Sequence, residues 1–295
     1  MSNFVRHTVC PFVASIIWGL SFVSQSIAAE YLGPFSINAF RGIVAFIVLA
    51  AACLVLKKRT DLGGIRQLLI SGAVCGGALF VASNLQQLGI ETSTAGKAGF
   101  VTALYIVLVP IAGTLFGRKA GKKVWIAVAV AVLGMYFLCI SKGEMSVSSG
   151  DLALLGCAAA FTVQIMCVDK MSLKVHPVAL SASMFLFMSL FSLIGMCIFE
   201  KPAVSDFAAC IGPLLFIALF SSCVAYTLQI ISQKGGNPAV VSLIMSLESV
   251  FAALGGAIIL KERLSSRELI GCVLMAIAVV LAQLPDHAPA SPAGK

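Results

Sequence analysis

The sequence predicts an all-α integral membrane protein, with ten transmembrane helices arranged as two inverted five-helix repeats. Three observations carry that prediction. The 295 residues are 60% hydrophobic and only 11% charged, with a mean hydropathy of +1.04, whereas a soluble domain carries about 25% charged residues. Charged or turn-rich punctuation cuts the chain into ten apolar segments, each near the length of about 20 residues that a bilayer core requires. The chain also resembles itself at a shift of about 143 residues. No globular core hides so much apolar surface, and water does not tolerate it outside. Soluble enzymes, secreted disulfide scaffolds and disordered chains are therefore excluded.

The segments follow in order. Residues 11–29 come after Arg6; Ser15, Ser21, Ser24 and Gln25 make them poor signal-peptide material, so they are read as a retained first helix. Residues 37–56 hold Arg41 and stop at Lys57-Lys58-Arg59, and 68–89 follow Arg66. Residues 94–116 contain Lys97 and Pro110 and end at Arg118-Lys119. Residues 124–140 lie between Lys123 and Lys142, and 152–168 between Asp151 and Asp169. Residues 178–199 run from Pro177 to Glu200-Lys201, followed by 211–232, 238–260 and 268–284. The first repeat occupies 11–140, the second 150–284, and 285–295 form a short tail.

With the N-terminus inside, the clusters Lys57-Lys58-Arg59, Arg118-Lys119 and Lys122-Lys123 all fall inside, together with Lys170, Lys174 and Lys234. The positive-inside bias therefore places both termini in the cytoplasm, with Lys261-Glu262-Arg263 as the outer exception. That clustering also reads the net charge of +8 as attraction to anionic lipid rather than to nucleic acid. The repeat rests on Leu85-Gln86 against Leu228-Gln229, Pro34 against Pro177, and Ala95 against Ala239. Five spans are an odd number, so the second copy enters the membrane from the opposite side, as alternating-access transporters require.

A charge at bilayer depth costs at least about 2.5 kcal/mol, so it is functional by default. Glu248 is the acid near the middle of a span; the others lie in loops, termini or span ends. A carboxylate there suits proton coupling or recognition of a cationic group. Arg41 and Lys97 lie close enough to span ends to snorkel. Arg41 is read as structural, and Lys97 either anchors or attracts a substrate carboxylate. Polar and aromatic residues recur at helical spacing: Ser15, Trp18, Phe22 and Gln25; Asn84, Gln87 and Glu91; Thr102 with Tyr105; Tyr226, Gln229 and Gln233. Gln164, Ser242, Ser246 and Ser249 add to them. Matching stripes on several helices are expected to line one aqueous cavity. The glycine pairs Gly72/Gly76 and Gly113/Gly117 allow close helix approach. The ten cysteines contain no C-x-x-C pair, and His7, His176 and His287 all lie outside the spans. Neither a metal site nor a cofactor is expected.

Trp18-Gly19, Arg41, Pro110, and Leu247 to Ala253 leading to Leu260-Lys261-Glu262-Arg263-Leu264 resemble the drug/metabolite transporter superfamily, in its ten-helix branch of two EamA-type halves. Ser249 stands where that family usually has proline, and Lys261 where it usually has glycine. The resemblance implies secondary transport across a bacterial-type inner membrane, commonly export of amino acids or related metabolites. It also implies a cavity bounded by helices 1, 3, 4, 6, 8 and 9.

The expected activity is export of small polar metabolites, amino acids or related compounds first, by alternating access. Trp18, Tyr105 and Tyr226 would wall the cavity. Gln25, Asn84, Gln87, Thr102, Gln164, Gln229 and Ser249 would orient the substrate, and Glu248 would take a proton or bind an amine. The partners are a small-molecule substrate and the bilayer, and the chain is expected to be monomeric. An enzyme is not expected, because no embedded histidine or second central carboxylate stands beside Glu248. The alternatives are a proton-coupled exporter of lipophilic cations and a non-transporting scaffold or sensor.

Overall fold

The computed structural model describes residues 1–55, 64–92, 95–115, 120–139, 149–259 and 265–283. The basic clusters at 57–59 and 118–119, Lys142, Gly117, the 261–263 cluster and the 285–295 tail lie outside them. Among the described residues every regular element is helical. The helices are α1 (Val5–Ala29), α2 (Pro34–Val55), α3 (Gly64–Ile90), α4 (Lys97–Leu115), α5 (Lys122–Cys139), α6 (Ser149–Met171), α7 (Pro177–Phe199), α8 (Ile211–Gln233), α9 (Pro238–Ile259) and α10 (Ser266–Gln283). A short helix, Val204–Ala209, precedes α8.

Among the described residues, eight helices are long and apolar enough to cross a membrane: α1 to α4 and α6 to α9. The expected count was ten. The difference falls on α5 and α10, both of which adjoin residues outside the described ones; of α10, Leu269–Gln283 counts as a shorter apolar helix. These two pack against each other, with Gly134 so near α10 that an added Cβ would lie 2.9 Å from Leu274 Cβ. The chain is an all-α, multi-pass membrane protein.

Burial is reversed relative to a soluble protein. Ile43, Ile47, Leu152, Ile194, Ile258 and Val280 are exposed, whereas Arg41, Gln164, Gln229, Ser246 and Glu248 are buried. Lipid solvates the first group, so polar side chains gather where helices meet. α2 packs on α7, and α3 on both α6 and α7. The α3–α7 approach uses Gly72, where any Cβ would collide with Ser183, and Gly76, where it would lie 2.5 Å from the Met184 carbonyl oxygen. Gly19 brings α1 onto Phe251 of α9 in the same way.

Besides α1, whose first residues Val5–Val9 are π-helical, three helices depart from regular α geometry. α4 is interrupted at Leu104, immediately before Tyr105, and α9 at Ser246–Leu247, immediately before Glu248. In α9 the hydroxyls of Ser242, Ser246 and Ser249 each donate to the carbonyl three residues back, competition that bends helices. No proline is needed for this break. In α8, Ile217–Ala225 forms a π-helical stretch, and Ser222 Oγ donates to the Ile217 carbonyl five residues back.

Candidate functional site

A cavity lies among α1, α2, α3, α4, α6, α8 and α9. Trp18, Gln25, Thr102, Tyr105, Tyr226, Gln229 and Glu248 line it, joined by Ser21, Phe22, Arg41, Gln86, Phe161, Ile165, Ser221 and Met245. The interruptions of α4 and α9 deliver Tyr105 and Glu248 into it, and the Tyr105 hydroxyl donates to Glu248 Oε1 at 3.0 Å. Discontinuous helices of this kind form the substrate sites of many transporters.

The wall is built largely of pairs 143 residues apart. Trp18 pairs with Phe161, Phe22 with Ile165, Gln86 with Gln229, Thr102 with Met245, and Tyr105 with Glu248. Each half of the chain thus contributes the same positions. The partners differ, however: Gln86 Nε2 donates to Thr102 Oγ1 at 3.4 Å, whereas Gln229 Nε2 donates to Gln164 Oε1 at 3.1 Å.

Five wall residues lack such a 143-offset partner: Ser21, Gln25, Ser221, Tyr226 and Arg41. This side chain is 2% exposed; its Nε donates to Ser222 Oγ at 2.9 Å, and its guanidinium carbon lies 5.9 Å from the Tyr226 ring centre. The Tyr226 ring in turn meets Trp18 edge-on at 4.9 Å and Phe185 at 5.4 Å. The π-helical stretch of α8 places both Ser221 and Ser222 on this side.

Other expected residues sit outside the wall. Asn84 accepts from Asn38 Nδ2 at 3.1 Å and donates to the Phe80 carbonyl. Gln87 Nε2 donates to the Gln25 carbonyl at 3.2 Å. Gln164 stands behind Gln229, and Ser249 is turned back onto its own helix. Glu91 is exposed at the end of α3. Lys97 Nζ pairs with Asp151 Oδ2 at 2.9 Å, away from the cavity. Among the described residues no three His, Cys, Asp or Glu side chains gather as metal ligands.

Arg41, Gln86, Phe161, Ile165, Ser221 and Met245 are wall residues that sequence periodicity missed. The repeat offset finds four of them at once. Adding 143 to Trp18, Phe22 and Thr102 reaches Phe161, Ile165 and Met245, and subtracting it from Gln229 reaches Gln86.

The chain is similar throughout its length to known membrane proteins. It is 29% identical over 277 residues to an "uncharacterized transporter" of Archaeoglobus fulgidus, covering 92% of this chain and 84% of that one. It is 26% identical to the "uncharacterized inner membrane transporter YedA" of Escherichia coli, covering 95% and 92%, and 24% identical to the "uncharacterized transporter YwfM" of Bacillus subtilis, covering 93% of each. A solved crystal structure shares the fold, with a TM-score of 0.76 at 18% identity over 94% of this chain and 96% of that one. The EamA-like transporter family matches twice, over residues 9–140 and 148–284. That double match covers nearly the whole chain, which therefore belongs to the EamA-like transporter family.

Proposed function

We propose that this membrane protein is a secondary transporter that exports small polar metabolites, amino acids or related compounds first, by alternating access. The observation that carries the reading is the cavity wall of 143-offset pairs around Tyr105 and Glu248. If the halves enter the membrane in opposite senses, exchanging their conformations moves the opening from one side to the other while the central residues stay in place. The unequal partners of Gln86 and Gln229 are what one end state of such an exchange looks like. The clustering of Lys and Arg supports cytoplasmic termini, and the name of the Escherichia coli relative supports an inner-membrane location. We treat the monomer as the working unit, because one chain supplies the whole wall.

The test is untargeted profiling of the medium from cells with and without overexpression. A small polar metabolite that rises outside the expressing cells supports export, and identical profiles contradict it. Export of lipophilic cations against protons is a second reading, favoured by the aromatic wall of Trp18, Phe22, Phe161 and Tyr226 beside Glu248. That reading predicts competition between protons and a quaternary-ammonium dye, with no metabolite change.

A further inference from the structure

We infer that Arg41 is the anchor for a substrate carboxylate, and that Arg41 and Glu248 act as opposite poles selecting a zwitterion of the amino-acid type. The inference deepens the transport reading above and rests on it.

A guanidinium removed from water is costly unless an anion faces it. Arg41 is fully enclosed, yet among the described residues no carboxylate lies within ion-pair distance of it; the ion pair found there is Lys97–Asp151. Its hydrogen bond to Ser222 and its place over Tyr226 hold the side chain in position without neutralising it. Glu248 lines the same cavity, and among the described residues its side chain holds only the Tyr105 hydroxyl. A guanidinium and a carboxyl group thus share one cavity without forming an ion pair. A purely structural pair would have closed the gap.

Other groups in the wall also lack partners. Among the described residues Trp18 Nε1 and Gln229 Oε1 are buried without a hydrogen-bond partner, a donor and an acceptor that a polar ligand would satisfy. A guanidinium fork matches a carboxylate bidentately, and a carboxylate opposite it matches an ammonium. Lipophilic cations satisfy only one of these poles. Arg41 also has no 143-offset partner in the wall, since Met184 at that offset lies in α7 and does not line it. Selectivity can therefore vary there without disturbing the shared centre.

The test uses the full-length protein in detergent, with tryptophan fluorescence and thermal stabilisation as readouts. The probes are the common L-amino acids, their carboxamides and their decarboxylated amines. Wild type is expected to bind at least one amino acid about tenfold more tightly than its amide or amine, as a charge-assisted pair implies. Arg41→Gln is expected to lose that preference while unfolding at the same or a higher temperature, since it removes an uncompensated buried charge. Arg41→Lys keeps charge without the fork and is expected to fall between. An acid-over-amide preference that survives in Arg41→Gln overturns the inference. A wild type that binds amines and acids equally also overturns it, while leaving the transport reading intact. A wild type that binds no probe contradicts both.

Discussion

The Tyr105 hydroxyl donates to Glu248 Oε1 at 3.0 Å across 143 residues of sequence, the same separation as between Pro34 and Pro177, which open α2 and α7. Each residue follows an interruption in its helix. The bond therefore joins equivalent positions of the two family matches at the centre of the cavity. Tyr105→Phe removes one hydrogen bond, worth about 1 kcal/mol, and leaves the ring. We expect transport in proteoliposomes to fall roughly fivefold, with the unfolding temperature little changed.

Packing of α1 on α9 rests on Gly19, whose missing Cβ is the space that Phe251 fills. Gly19→Ala forces the helices apart, and overpacking of this kind costs about 1–3 kcal/mol. Gly77→Ala is the matched control, because its nearest neighbour, Phe191, stays at an ordinary 3.7 Å. Thermal unfolding in detergent should show a clear loss for the first. The second should show no loss or a small gain, since alanine is the better helix former.

Glu200 ends α7 and caps the start of α2, accepting from Phe35 N at 2.9 Å and Ser36 N at 2.8 Å, and from the Ser36 hydroxyl. A carboxylate on free N–H groups at a helix N-terminus is stabilising by its hydrogen bonds and by the helix dipole. Glu200→Ala is expected to cost about 1–2 kcal/mol of stability, and Glu200→Gln less. Comparing the unfolding midpoints of the two variants checks this.

Lys97 lies outside the cavity in an ion pair with Asp151 that is 37% exposed on the lysine side. Such pairs contribute about 0–1 kcal/mol. Lys97→Met is expected to leave substrate binding within about twofold of wild type, in contrast to Arg41→Gln. A tenfold loss of binding in Lys97→Met would place Lys97 on the substrate path.

Much of the architecture is legible in the sequence, because in a bilayer both span length and the depth of a charge carry steep costs. Pro177 and Glu200 mark the two ends of α7, and Glu248 stands out as the acid at mid-depth. The limits are equally physical. One step along a helix turns a side chain by about 100°; periodicity selects Gln87, but the wall uses Gln86 and Gln87 reaches back to α1. Arg41 has the length to snorkel, and counting residues from a span end cannot reveal that Ser222 holds it inward. The π-helical stretch that presents Ser222 has no sequence signature of its own. The α9 break is similarly hidden, because three serines make it where the family resemblance suggests a proline.

The central claim is that the shared cavity around Glu248 carries the transported molecule. Counterflow of labelled amino acids in proteoliposomes tests it most directly, comparing wild type, Glu248→Gln and Glu30→Gln, the last an exposed residue at the end of α1. The account predicts rapid exchange in wild type and Glu30→Gln, and exchange reduced by at least about tenfold in Glu248→Gln. Undiminished exchange in Glu248→Gln, or none in wild type, would contradict it.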